Sequence, residues 1–196
     1  AFKGRYHLAP AWAGLDGDGI LDVAMGSYGS KIGWFRGAGG VRWTEVDSAM
    51  VTITRGSNTV PALGDLDGDG DLDLLVGESS GSLNYYRNDG DRTAPRFVLV
   101  TDEFERIDVG RRSAPTLVDL DDDRDLDLLI GSDDHGLVLY RNRGSVTVPA
   151  FVPDTTFRID LPVLASPAMR DLDGDGRRDL LVGTSAGGVL FFRSRP

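Results

Sequence analysis

Three apolar runs closed by glycine set the pattern of the chain: Leu74-Leu75-Val76-Gly77, Leu128-Leu129-Ile130-Gly131 and Leu180-Leu181-Val182-Gly183. A short apolar run without polar alternation predicts a strand covered on both faces. A polar turn of Ser, Gly and Asp follows each run. Then comes an aromatic strand: Ile32-Gly33-Trp34-Phe35, Leu83-Asn84-Tyr85-Tyr86, Leu137-Val138-Leu139-Tyr140 or Val189-Leu190-Phe191-Phe192. Ahead of the apolar runs lie acidic loops. Ahead of the loops are further short strands (Ala62-Leu63-Gly64, Thr116-Leu117-Val118) opened by proline, where a missing N–H is tolerated. The connections predict a fourth strand over Val41 to Val46, Arg96 to Thr101 and Ala150 to Val152, and no stretch predicts a helix.

The pattern repeats in strict register. The loops begin at Gly14, Asp65, Asp119 and Asp171, 51, 54 and 52 residues apart. Pro10, Pro61, Pro115 and Pro167 stand four residues before each loop, and Arg36, Arg87, Arg141 and Arg193 stand 22 residues after its first position. Length varies only in the connections 37–60, 88–114 and 142–166. Four short antiparallel strands recurring about every 50 residues describe propeller blades, which bury their faces by stacking on one another. The expected fold is therefore an all-β propeller in one domain, 1–196, with blades at about 10–47, 58–101, 112–153 and 164–193. The last blade lacks a fourth strand after Arg193. Residues 1–9, in particular Phe2 to Leu8, are candidates to supply it and close a four-bladed ring. Alternatively the chain is half of a larger ring, completed by a homodimer partner or by flanking sequence.

Charge sharpens this picture. The net charge is −10, yet 18 of the 31 acidic residues lie in the four loops, so the acidity belongs to the loops rather than to a general surface. No basic stripe or recognition motif points to nucleic acid. No apolar run approaches a membrane span, and no signal-peptide pattern is present. The start without Met leads to the expectation that a leader or flanking sequence has been removed. The absence of cysteine excludes disulfides and thiolate metal sites.

In the loop Asp65-Leu66-Asp67-Gly68-Asp69-Gly70-Asp71-Leu72-Asp73, carboxylates fall at positions 1, 3, 5 and 9, and glycines at 4 and 6 let the backbone curl inward. Hard oxygen donors gathered so closely suit Ca²⁺, with the position-7 carbonyl as a further ligand. An EF-hand is excluded, because its twelfth position requires Glu and here holds Met25, Val76, Ile130 or Val182. An abundant Ca²⁺ supply fits an extracellular or periplasmic setting.

The pattern Pro-x-x-x-Asp-x-Asp-x-Asp-Gly-x-x-Asp, with its apolar strand, Gly turn and aromatic-Arg strand, resembles the FG-GAP/VCBS repeats of integrin-α-type β-propellers over residues 10–193. The resemblance implies Ca²⁺ ligands Asp65, Asp67, Asp69, Asp73 and the Asp71 carbonyl in the second blade. In the third it implies Asp119, Asp121, Asp123, Asp127 and the Asp125 carbonyl; in the fourth, Asp171, Asp173, Asp175, Asp179 and the Arg177 carbonyl. Gly14 removes the first ligand of the first blade, leaving Asp16, Asp18, Asp22 and the Ile20 carbonyl as the weaker site. Arg124 replaces the position-6 glycine of the third blade and is expected to carry backbone strain. The family's rings usually carry more than four blades.

The implied role is a calcium-stabilised extracellular binding or adhesion module, lectin-like, with a carbohydrate or protein ligand and no catalysis. The alternatives are an accessory or catalytic domain of a polysaccharide lyase or hydrolase, and a structural or engineered repeat that self-assembles. The periodic arginines are expected to pair with neighbouring acids, and Trp12 and Trp34 to pack, with Trp43 the most exposed of the three tryptophans. His7 and His135 are expected to be solvated rather than catalytic.

Overall fold

The computed structural model describes residues 6–157, 159, 161 and 165–195. Each repeat forms one up-and-down sheet. The first blade holds β1 (Ala9–Ala13), β2 (Asp22–Gly26), β3 (Lys31–Gly37) and β4 (Trp43–Thr52). The second holds β5 (Val60–Gly64), β6 (Asp73–Gly77), β7 (Leu83–Asn88) and β8 (Phe97–Thr101). The third holds β9 (Ala114–Val118), β10 (Asp127–Ser132), β11 (Gly136–Asn142) and β12 (Phe151–Pro153). The fourth holds β13 (Ala165–Arg170), β14 (Asp179–Thr184) and β15 (Val189–Phe192), three strands among the described residues. Register is identical across the repeats: Pro10 faces Met25, Pro61 faces Val76, Pro115 faces Ile130 and Pro167 faces Val182.

The apolar runs are the buried second strands of a four-bladed propeller, and every residue of β2, β6 and β10 is buried. Because successive strand residues point to opposite faces, one run serves two interfaces. Leu74 and Val76 pack with Ala24, Ile32 and Val51 of the first blade. Leu75 packs with Leu128 and Ile130 of the third. Leu129 in turn joins Leu180 and Val182 of the fourth. The innermost strands pack in sequence, β1 on β5, β5 on β9 and β9 on β13, whereas no comparable contact joins β13 back to β1 among the described residues. Residues of all four inner strands line a shared cavity of about 670 Å³.

One detail departs from the sequence-based expectation. A single 3-10 turn, Phe104–Arg106, interrupts the connection after β8. Its buried Phe104 ring sits 5.3 Å from that of Tyr85 and 5.7 Å from that of Phe151, filling the space between the second and third blades. The closing strand expected from Phe2 to Leu8 falls mostly outside the described residues. Within them, the Tyr6 carbonyl accepts the Tyr28 N–H and so engages the first blade. Among the described residues no helix is long and apolar enough to cross a membrane.

Candidate metal-binding loops

Each loop joins the first two strands of its blade, and its own carboxylates fold it. In the second blade Asp65 accepts the Gly68 and Gly70 N–H groups, Asp67 accepts from Asp69, and Asp69 accepts from Asp71. The fourth repeats this through Asp171, Asp173 and Asp175, the last taking the Arg177 N–H. The first blade keeps only the later turns, Asp16 accepting from Asp18 and Asp18 from Ile20, because Gly14 has no carboxylate. Positions 4 and 6 lie at positive φ. Gly70 has φ 91° and Gly176 84°, while the third blade forces Asp122 to 61° and Arg124 to 78°. The expected strain at Arg124 is therefore present, and Asp122 shares it.

The ninth-position aspartates have a second role that spacing did not reveal. Asp73 is buried and accepts the Leu66 N–H at 3.1 Å, the Asn88 N–H at 2.8 Å and the Tyr85 hydroxyl at 3.0 Å. Asp22, Asp127 and Asp179 bridge the equivalent amides: Leu15 and Gly37, Leu120 and Asn142, Leu172 and Ser194. Each carboxylate ties its loop to the end of the third strand. The signal was available in the sequence only as the constant distance from this position to the end of the aromatic strand.

Three loops gather metal-competent oxygens. Carboxylate oxygens of Asp65, Asp67 and Asp73 lie within 4.8 Å of one another, as do those of Asp119, Asp121 and Asp123, and those of Asp171, Asp173 and Asp179. No such group forms in the first blade among the described residues, which fits the loss of the first ligand at Gly14. Asp69, Asp127 and Asp175 stand outside these triads. The Asp119 Oδ1, Asp71 Oδ1 and Asp125 Oδ1 atoms are buried without a hydrogen-bond partner. Buried anionic oxygens without partners are costly, and a divalent cation with oxygen preference suits them. Burial pushes the Asp73 carboxyl up to about 6 in spite of the hydrogen bonds it accepts. Burial, then neighbouring carboxylates, raise Asp71 and Asp125, whereas the amides of Gly176 and Gly174 hold Asp171 low.

The periodic arginines pair with acids as expected. Arg36 reaches Asp16 and Arg193 reaches Asp173, both at loop position 3. Arg141 meets Asp127 at 3.0 Å, while Arg87 pairs with Asp89 at 2.6 Å. Among the tryptophans the expectation is corrected. Trp43 is partly buried over Val23, Met25 and Phe35, and Trp12 is the exposed one, at 50 %, with its ring 5.4 Å from that of Trp43. His135 stays in an exposed turn, its N–H on the Ser132 hydroxyl, and His7 lies 5.6 Å from the Tyr28 ring.

The FG-GAP-like repeat model matches three overlapping spans, 14–76, 65–130 and 119–182, each running from the first position of one loop to the buried strand after the next. The chain belongs to the FG-GAP-like repeat family. A comparison with curated proteins finds no match. The FG-GAP-like spans reach all four loops, and the three loops with a first-position Asp are the three that bring their oxygens together.

Proposed function

We propose that this chain is a calcium-stabilised binding module that works in an extracellular or periplasmic setting and presents a carbohydrate or protein ligand site on its loops. The observation that carries the reading is the threefold recurrence of an aspartate triad with oxygens within 4.8 Å, each placed where the first strand of a blade turns into the second. In this role Ca²⁺ would be held by Asp65, Asp67 and Asp73, by Asp119, Asp121 and Asp123, and by Asp171, Asp173 and Asp179. It would supply charge neutralisation to crowded carboxylates, so that binding free energy becomes folding free energy. The acidic residues then serve as metal ligands and loop braces rather than as acid and base. Recognition falls to the connections and turns, where the repeats differ from one another. A glycan array probed with and without Ca²⁺ tests the ligand half of this reading. Calcium-dependent binding to a defined glycan class supports the lectin-like role. Turnover of a polysaccharide would replace it with the enzymatic one.

A further inference from the structure

Within the chain, all three junctions between blades share one contact, and the first two share a second. The glycine that closes each second strand lies against the residue two before the next blade's proline: a Cβ on Gly26, Gly77 or Gly131 would overlap the carbonyl oxygen of Thr59, Ser113 or Ala165. The fourth-position glycine of the loop is covered by a threonine from the next blade. A Cβ on Gly17 would lie 2.7 Å from the Thr93 methyl, and one on Gly68 2.5 Å from that of Thr147.

The fourth blade keeps both glycines, and among the described residues no other blade lies against them. The nearest atom to a Cβ on Gly183 is the Ser166 carbonyl of its own blade, 3.8 Å away, and nothing lies within 4 Å of one on Gly174. The face that the other blades turn toward their successors is also uncovered here. Leu75 and Leu129 are buried, whereas Leu181 is only partly so, and Val189 and Phe191 are 65 % and 53 % exposed. The first blade has the complementary half. Leu8, two residues before Pro10, meets no preceding glycine among the described residues and is 37 % exposed. Trp12 is half exposed at the position where Leu63 and Leu117 are packed by the blade before. The loop tip at Val41, equivalent to the covering turns that carry Thr93 and Thr147, is 85 % exposed.

We infer that two copies of this chain associate head to tail, the fourth blade of each stacking on the first blade of the other to close an eight-bladed ring. Gly183 of one copy then receives the carbonyl of Leu8 from the other, and Phe191 and Val189 cover Trp12. The partner surface is the one the chain already uses three times internally, so the contact continues an existing interface. It is heterologous, and such contacts close only when the rotation returns to the start. Two copies make eight blades, the upper end of the usual propeller range of about 4–8. The inference rests on blade packing alone and is independent of the proposed ligand role.

Light scattering across a concentration series in Ca²⁺ tests it, with Gly183→Val and Phe191→Ser beside the wild type. Position 183 has room for a side chain within one copy and ordinary strand φ, so the valine obstructs only the second copy. The expected result is a wild-type mass of twice the 21.1 kDa chain and single-chain mass for both variants, with unchanged circular dichroism. A wild type that stays at 21.1 kDa at the highest concentration overturns the inference. So does a Gly183→Val variant with the wild-type mass, or a mass that grows without limit as an open chain would.

Discussion

At the scale of the residue, the aspartates divide into those that serve only the candidate metal groups and those that also hold the backbone. Removing Asp73 strands the buried N–H groups of Leu66 and Asn88 and the Tyr85 hydroxyl, so Asp73→Ala is expected to cost ~2–4 kcal/mol even in chelator. Asp67 accepts one long bond, 3.3 Å from the Asp69 N–H. Its alanine variant should stay within ~0.5 kcal/mol of wild type in chelator and lose stability only when Ca²⁺ is present. Paired denaturant titrations with and without Ca²⁺ separate the two, and equal behaviour of both variants would refute the division. Protons report on the same carboxyl. Asp73 titrates at about 6 in the folded, metal-free chain against 3.8 for its ordinary value. The folded state therefore binds a proton that the unfolded state lacks between these values, and Asp73 adds stability as pH falls through 6 and loses it as pH rises. That proton would compete with Ca²⁺ held by the same carboxylate, so calcium titrations at about pH 7.5 and about pH 5.5 should show weaker affinity at the lower pH. Arg124, at φ 78° where the other loops have glycine, makes a third case. Arg124→Gly should stabilise the metal-loaded chain by about 1 kcal/mol, the αL penalty less the entropy that glycine gains on unfolding.

At the scale of the element, the second strand of each blade decides the packing, and its closing glycine sets how near the next blade can come. Gly77→Ala should destabilise by about 1–3 kcal/mol, because its Cβ meets the Ser113 backbone rather than a movable side chain. A melt unchanged by this substitution would contradict the close-packed junction. The strands were legible in the sequence because Leu74-Leu75-Val76 and Leu128-Leu129-Ile130 bury both faces and, like Leu180-Leu181-Val182, leave no competing helical period. The loops were legible because four copies fix the spacing. What spacing could not convey was partnership across space. The two amides bridged by Asp73, the 3-10 turn that wedges Phe104 between Tyr85 and Phe151, and the exposure of Trp12 rather than Trp43 all depend on neighbours distant in the chain. The left-handed backbone at Asp122 lay within reach of the pattern, since position 4 is glycine in the other three loops.

At the scale of the whole molecule, four sheets are linked in series; each loop is tied to the end of its own third strand, and the first two also touch the turn of the following blade. Ions in these loops would stiffen the junctions as well as the blades. Saturating one site at 100 times its dissociation constant adds about 2.7 kcal/mol, which for a chain of this length raises Tm by about 5–10 °C per site. The net charge of −10 should fall in magnitude as the ions bind, easing self-repulsion across the molecule. Calcium titration by calorimetry, begun from chelated and dialysed protein and followed by melts of the same samples, tests the central claim most directly. The account predicts three tight ions per chain, one for each aspartate triad, with Tm rising as they bind. No heat of binding and a melt indifferent to calcium and chelator would contradict it.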